Sequence, residues 1–83
     1  MQHEVKISPE YFDAVESGVK PFEVRKNDRK FKIGDSLYLR EYEPSIPSYT
    51  GTPYTGRETR KIITYILNDA NYCISGYVIL GLK

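Results

Sequence analysis

The 83-residue sequence predicts a single α+β domain over residues 1–83, with one short helix and a curled, largely antiparallel sheet. One segment has apolar residues at helical spacing between a start signal and a stop signal, and several others alternate apolar and polar residues as strands do. The order is a strand, a helix and then four strands. At this length a small closed or nearly closed barrel is expected, because closure removes exposed strand edges.

The helix is predicted directly after a first strand at His3–Ile7. Ser8 can cap the free amide groups of the first turn, and Pro9 suits the first helical position. Gly18 is the residue type that ends helices in a left-handed conformation. One side of this helix is predicted to be buried, and its apolar residues are Tyr11, Phe12, Ala14 and Val15.

Four further strands are predicted at residues 20–25, 36–42, 57–67 and 77–80. In the first of them, Phe22 and Val24 alternate with Glu23 and Arg25, so the strand has an apolar face and a charged face. A half-buried strand whose charges are simply solvated is an equally good interpretation of that pattern. The segment 43–56 is rich in Pro, Ser, Thr and Gly and predicts a long loop, which in a small domain is more often functional than not.

Charge and composition limit the classes of function. The net charge is +1, but residues 1–17 are acidic while residues 18–42 are basic, which is compatible with a phosphate-bearing partner. Cys73 is the single cysteine and His3 the single histidine, so neither a disulfide nor a metal site is expected, and no cofactor is indicated. The sequence shows no secretory signal and no long apolar stretch, which predicts a cytoplasmic protein without a membrane span.

The motif Gly18-x-Lys20-x-x-Glu23-x-Arg25, followed by a basic turn and Gly34-Asp35, resembles the signature of the ASCH domain family in the PUA-like superfamily. The chain is most similar to a small bacterial and phage branch of uncharacterised ASCH-like proteins. That likeness extends over residues 3–7, 23–29, 54–56 and 76–80. The resemblance implies a barrel of five to six mostly antiparallel strands, with the helix beside a cleft. Lys20 would lie at the mouth of this cleft, Glu23 within it and Arg25 beside the glutamate.

The resemblance also implies a function, since ASCH domains are proposed RNA-binding modules. The expected partner is single-stranded RNA or a nucleotide. The candidate binding residues are Lys20, Glu23, Arg25, Lys26, Arg29, Arg40, Tyr49 and Tyr54. The cationic side chains would contact phosphate, and Glu23 would accept a hydrogen bond from an exocyclic amine of a base. Stacking on bases is assigned to the loop residues Tyr49 and Tyr54, with Tyr38 and Tyr42 as the alternative.

Two other functions stay open at this point. Some small bacterial members of the family hydrolyse modified nucleosides, and in such an enzyme Lys20 and Glu23 would be the catalytic pair. Those hydrolases carry a threonine at the position of Glu23, and Thr50 or Thr55 replaces it only if the loop folds over the cleft. The third possibility is a protein-interaction module. A separate, structural interpretation of Glu23 is an ion pair with the neighbouring cations that fixes the cleft. His3 is expected at the surface, and the oligomeric state does not follow from the sequence.

Overall fold

The computed structural model describes residues 1–45 and 51–83. The elements, in chain order, are β1 (Gln2–Ile7), α1 (Pro9–Ser17), β2 (Phe22–Lys26), β3 (Ser36–Tyr42), β4 (Tyr54–Leu67) and β5 (Tyr77–Leu82). The α+β class is confirmed. Strand β4 begins earlier than expected, so Tyr54 belongs to a strand and not to the long loop.

The five strands form one mixed sheet in the order β1-β3-β4-β5-β2. Strands β1 and β3 are parallel, and the other three neighbouring pairs are antiparallel. The sheet is not closed into a barrel, in contrast to the expectation, because β1 and β2 remain as its two edges. The guanidinium of Arg25 reaches across this gap and donates from Nη1 to the carbonyl oxygen of Lys6 at 2.8 Å. A side chain therefore links the two edges where a ladder of backbone hydrogen bonds would close a barrel.

The curl of the sheet comes from β4, which has two different partners along its length. Its first part pairs with β3, and its last part pairs with β5. The register shifts between Ile63 and Tyr65. Opposite this irregularity, a Cβ atom on Gly81 would lie 3.0 Å from Thr64 Oγ1, so glycine is what allows the strands to approach here. The bend turns the β5–β2 side of the sheet back toward β1.

The helix begins and ends where the sequence predicts. Ser8 Oγ accepts from the backbone N–H of Glu10 at 3.4 Å, and Pro9 occupies the first turn. Gly18 ends the helix at φ 86°, a left-handed conformation that glycine adopts without a Cβ penalty. The backbone N–H of Lys20 then donates to the carbonyl of Ala14 at 2.8 Å. This exit fixes the direction in which the chain enters the Lys20–Arg25 segment.

The apolar core lies between α1 and the inner face of the sheet, and β2 supplies none of its buried members. These are Val5, Ile7, Phe12, Val15, Leu37, Leu39, Ile63, Val78, Leu80 and Leu82. On β2 the apolar face points outward, with Phe22 42% and Val24 51% exposed, while Glu23 is only 6% exposed. The interpretation of solvated outer charges is therefore wrong for Glu23. This strand lines the interior with charge instead of extending the core.

A second buried polar contact joins β1 to the turn before β3. His3 is 4% exposed, and its Nε2 lies 2.8 Å from Asp35 Oδ2. The His3 ring also packs edge-on against Phe31 at 4.8 Å between centroids. The expectation that His3 is a surface residue is wrong, because it lies on the buried face of β1 together with Val5 and Ile7. The pair holds β1 against the sheet from the inside.

Asp35 is expected to make the fold sensitive to acid. The hydrogen bond with His3, helped by the Met1 amino group and the Lys32 backbone N–H, lowers the pKa of Asp35 from 3.8 to about 2. The folded state therefore binds fewer protons than the unfolded state between about pH 4 and pH 2, and the free energy of unfolding falls as pH drops through this window. In Asp35→Asn that part of the pH dependence should disappear, as measured by urea unfolding at stepped pH.

The matched control is Asp28→Asn, which removes an exposed carboxylate from the neighbouring turn. Its unfolding midpoint should decline with acid as steeply as that of the unmodified protein. An Asp35→Asn variant with the same decline would contradict the assignment of the acid sensitivity to Asp35.

Candidate functional site

A cleft lies between the edge strands β1 and β2 and consists of two adjoining cavities. The first, called here the Glu23 cavity, has a volume of about 390 Å³ and is lined among others by Tyr11, Lys20 and Glu23. The second, called here the arginine cavity, has a volume of about 500 Å³, and its lining includes Glu4, Arg29, Arg40 and Tyr54. Lys6 and Arg25 line both cavities. The gap that leaves the sheet open is thus the site where charged side chains gather.

The buried carboxylate of Glu23 is held between two cations. Lys20 Nζ lies 3.0 Å from Glu23 Oε1, and Arg25 Nη1 lies 3.5 Å from Glu23 Oε2. Burying a carboxylate is unfavourable unless it is paired, so these two contacts are what allow Glu23 to point inward. The pairs are partly open to solvent on the cationic side, since the Lys20 and Arg25 side chains are more exposed than that of Glu23.

Lys20 reaches this cavity because it precedes the regular strand. Alternation within β2 would place it on the face of Phe22, away from Glu23, but β2 begins only at Phe22, after Pro21. The Lys20 ammonium also donates to the Phe22 carbonyl at 3.2 Å. Its Nζ lies 5.0 Å from the centroid of the Tyr11 ring and 4.8 Å from that of Phe22. Two aromatic rings and two oxygens therefore fix the position of this cation.

In the arginine cavity, Arg40 is oriented by three neighbours. Its Nη1 donates to Glu4 Oε1 at 2.8 Å, its Nε lies 3.6 Å from Glu58 Oε2, and its Cζ lies 3.9 Å from the centroid of the Tyr54 ring. The Tyr54 ring in turn packs edge-on against Tyr42 at 5.1 Å. These contacts hold the Arg40 guanidinium in position beside the Tyr54 ring at the end of the cleft.

The cleft concentrates positive charge. Five cationic side chains line the two cavities (Lys6, Lys20, Arg25, Arg29 and Arg40), against the carboxylates of Glu4 and Glu23. The whole chain has a net charge of only +1, so the remainder of the chain is net negative. A groove with this contrast attracts anions and repels cations.

The structure brings together six of the eight residues expected from the sequence: Lys20, Glu23, Arg25, Arg29, Arg40 and Tyr54. Lys26 is exposed at the end of β2 and has the parity of Val24, which places it on the opposite face from Arg25. Tyr49 lies outside the described residues. Folding of the 43–56 loop over the cleft would depend on residues 46–50, which also lie outside them.

Among the lining residues that were not predicted, three have charged or aromatic side chains: Glu4, Lys6 and Tyr11. Glu4 and Lys6 are on the exposed face of β1 and reach the cleft because β1 is an edge strand, which depends on pairing with distant residues. Tyr11 was expected on the buried side of α1 but is 45% exposed. Tyr11 lies four residues before the buried Val15, so helical spacing gave no signal that its ring is exposed.

Glu41 is a further buried carboxylate, besides Glu23 and Asp35, and lies on the inner face of β3. It accepts from Thr55 Oγ1 at 2.7 Å, and Arg57 Nε lies 3.4 Å from the same oxygen. Arg57 also pairs with Asp13 of α1 at 2.6 Å, and this contact holds the pKa of Arg57 above its ordinary value. The cluster ties the start of β4 to the helix. Thr55 lines neither cavity, so the structure does not place its hydroxyl beside Lys20, and Thr50 lies outside the described residues.

Within residues 1–45 and 51–83, no group of His, Cys, Asp or Glu side chains is arranged to hold a metal ion. Cys73 is a free thiol whose sulfur lies 3.4 Å from the carbonyl oxygen of Leu67. In the same described ranges, no helix is long and apolar enough to cross a membrane.

Comparison with known proteins gives a family match that covers nearly the whole chain. Residues 2–82 match the family described as a domain of unknown function (DUF3850). The sequence is also 37% identical over 78 residues to a protein of Escherichia phage P2 described as an uncharacterized 12.9 kDa protein in the GpA 3′ region. That alignment covers 94% of this chain and 64% of the phage protein. The chain therefore spans less than two thirds of the length of this relative.

Proposed function

The chain belongs to the family described as a domain of unknown function (DUF3850), and we propose that it binds single-stranded RNA or a nucleotide in the cleft between β1 and β2. The observation that carries the proposal is the buried Glu23 carboxylate inside a groove whose lining side chains have a net positive charge. Cations alone would suit any polyanion. A fixed carboxylate among them adds an acceptor for the amine and imine groups of a base, which phosphate-only binding does not need.

The chemistry of each wall fits one part of a nucleotide. Arg25, Arg29 and Arg40 are suited to phosphate, which guanidinium groups bind in a bidentate manner. Tyr54 contacts the Arg40 guanidinium, whereas Tyr11, which lines the Glu23 cavity and is 45% exposed, offers a ring on which a base can stack, a contact worth about 1–3 kcal/mol per base. Glu23 accepts hydrogen bonds through the lone pairs that Lys20 and Arg25 leave available, since a carboxylate has about four such sites.

The same geometry supports placing the chain with the ASCH domains of the PUA-like superfamily. The signature residues Lys20, Glu23 and Arg25 surround one cavity beside the helix, as the resemblance implies. Relative to a closed barrel of that superfamily, the interval between β1 and β2 would be opened and occupied by the ligand site. The Arg25 contact with the Lys6 carbonyl spans this interval.

The test is fluorescence anisotropy with short labelled single-stranded RNAs at low and at physiological salt. We expect affinity to fall as salt rises, because phosphate contacts release counterions. Arg25→Ala should weaken binding about tenfold, since a hydrogen bond to a charged group contributes roughly 1.5–3 kcal/mol. Lys26→Ala is the matched control, because it removes the same charge from the adjacent residue on the opposite face of β2.

Equal losses in the Arg25→Ala and Lys26→Ala variants would mean that only long-range charge matters, and the cleft would not be the site. Binding that is undetectable at low salt would reject the proposal altogether. Thermal unfolding of each variant shows whether the fold is intact.

Hydrolysis of a modified nucleoside is the second candidate, favoured by the 3.0 Å contact of Lys20 Nζ with Glu23 Oε1 in one cavity. In that reaction Glu23 would take a proton from water, whose oxygen attacks the amide carbonyl. Lys20 would stabilise the oxyanion, and the amine would leave with the proton held by Glu23. Incubation with an acylated cytidine, followed by chromatography, tests it. Turnover no greater than that of a Lys20→Ala variant would exclude this reaction.

A further inference from the structure

We propose that the arginine cavity is a phosphate-binding subsite, so that the cleft takes a phosphorylated nucleotide unit in preference to a free nucleoside. The inference rests on the proposed function and assigns a different part of the ligand to each cavity. The Glu23 cavity would hold the base, and the arginine cavity would hold the phosphate attached to the same nucleoside. The shared chemistry is a phosphate group, either the terminal phosphate of a mononucleotide or the bridging phosphate of an RNA strand.

The charge of the arginine cavity differs from that of the Glu23 cavity. Four cations line the arginine cavity (Lys6, Arg25, Arg29 and Arg40) with one carboxylate, Glu4. In the part of the chain that the structure describes, Arg29 has no ion-pair partner. Its guanidinium is exposed at the cavity, in the turn that follows β2. An anion entering this cavity therefore meets donors that are not already neutralised.

The one carboxylate in this cavity is a weak competitor for an anion. Glu4 pairs with Arg40 at 2.8 Å, but the Glu4 side chain is 60% exposed. Exposed pairs of this kind contribute little free energy, so a phosphate can take the place of Glu4 at small cost. Tyr54 also contacts the Arg40 guanidinium, whose Cζ lies 3.9 Å from the ring centroid. Arg40 would thus stay oriented when Glu4 is displaced.

Arg25 forms the boundary between the two cavities and is fixed at the same nitrogen by two contacts. Its Nη1 lies 3.5 Å from Glu23 Oε2 and 2.8 Å from the Lys6 carbonyl oxygen. Within residues 1–45 and 51–83, the other nitrogens of this guanidinium make no ion pair or hydrogen bond, so they can contact a ligand. A ligand that contacts both Glu23 and the arginine cavity must therefore extend past Arg25. A nucleotide can do so, with its base on the Glu23 side of Arg25 and its phosphate on the other.

The experiment measures binding of the four nucleosides, their 5′-monophosphates and their 3′-monophosphates by NMR titration of the ¹⁵N-labelled protein. We expect at least one monophosphate to bind about tenfold more tightly than its nucleoside. Arg29→Gln should reduce this ratio several-fold, whereas Lys30→Gln, which removes the adjacent charge, should leave it unchanged. Both residues are exposed in the same turn, so both variants are expected to fold.

Dinucleoside monophosphates identify the source of the phosphate. If the dinucleoside monophosphate binds as tightly as the mononucleotide, the subsite takes the bridging phosphate of a strand. If it binds more weakly, the subsite takes a terminal phosphate. Either result supports the subsite. Nucleosides that bind as tightly as their monophosphates would overturn the subsite and leave the proposed base cavity intact. No binding of nucleosides, nucleotides or RNA would instead reject the proposed function. An acidic peptide that competes as well as the nucleotide would also overturn the subsite, by showing a general anion patch.

Discussion

Replacing Lys20 with methionine is expected to lower the free energy of unfolding by about 3 kcal/mol, because it removes the nearer cation from a buried carboxylate. Glu23 would keep only the longer contact with Arg25, at 3.5 Å. Methionine retains an unbranched apolar stem that can pack against the rings of Tyr11 and Phe22, so the loss reports the charge and not the packing. Urea unfolding followed by circular dichroism at neutral pH measures the change.

Two further variants show whether the Lys20→Met effect is electrostatic. The double variant Lys20→Met with Glu23→Leu should recover most of the stability, because a buried ion pair can often be replaced by apolar groups at no net cost. Lys26→Met removes an exposed charge nearby and should change stability by less than about 0.5 kcal/mol. A double variant as unstable as Lys20→Met would show that the loss comes from packing. The recovered double variant is also expected to be folded and unable to bind nucleotide, which separates the two roles of Glu23.

Phe12→Ala is the second substitution with a large expected effect, a loss of about 3–5 kcal/mol. The Phe12 side chain is 1% exposed, and together with Val15 it forms the buried side of α1. A helix of nine residues is marginal in water by itself, so its position depends on these contacts. Small domains are stable by roughly 5–15 kcal/mol, and this one change would remove a large part of that margin. Urea unfolding and the helical signal in circular dichroism measure it.

Two neighbouring substitutions calibrate the Phe12 result. Phe12→Leu keeps most of the volume and should cost less than about 1.5 kcal/mol. Tyr11→Ala removes an adjacent aromatic ring that is 45% exposed at the cleft, so it should weaken ligand binding more than it weakens the fold. A Phe12→Ala variant that is no less stable than Tyr11→Ala would contradict the packing of α1 described above.

Local signals in the sequence predicted the helix and the third strand well. The Ser8 cap, Pro9 in the first turn and the left-handed Gly18 are all present, and β3 covers Ser36–Tyr42 as expected. Such features depend on residues within a few positions of one another, so they can be recognised without knowing the fold. The grouping of Glu23 with Arg25 was predictable for the same reason, since alternation in a strand is local.

Alternation does not say which face of a strand is buried. In β2 the polar face is the inner one, and Phe22 and Val24 face outward. Hydrophobicity predicts the opposite, because charged side chains are usually exposed. The inversion depends on Arg25 and on Lys20, which reaches Glu23 from outside the strand in a contact that no periodicity describes. A functional site is where such a conflict between local pattern and fold is expected.

The positions of Lys6 and His3 depended on pairings between distant parts of the chain. Lys6 lines the cleft because β1 is an edge strand, and His3 is buried because β1 lies parallel to β3 and beside Asp35. Neither the parallel pairing nor the order of strands has a short-range signature. The gap between β1 and β2, and with it the cleft, could therefore not be located from the sequence alone.

The strand order also has a consequence for when the cleft can exist during synthesis of the protein. Strand β2 carries Glu23 and Arg25 but pairs with β5, which follows it by about fifty residues along the chain. Strand β1 likewise forms its backbone hydrogen bonds with β3 and not with β2, the next strand along the chain. Residues 1–28 therefore include most of the charged and aromatic residues that line the cleft, but not the strands that arrange them. The cleft cannot form until translation has passed Leu82.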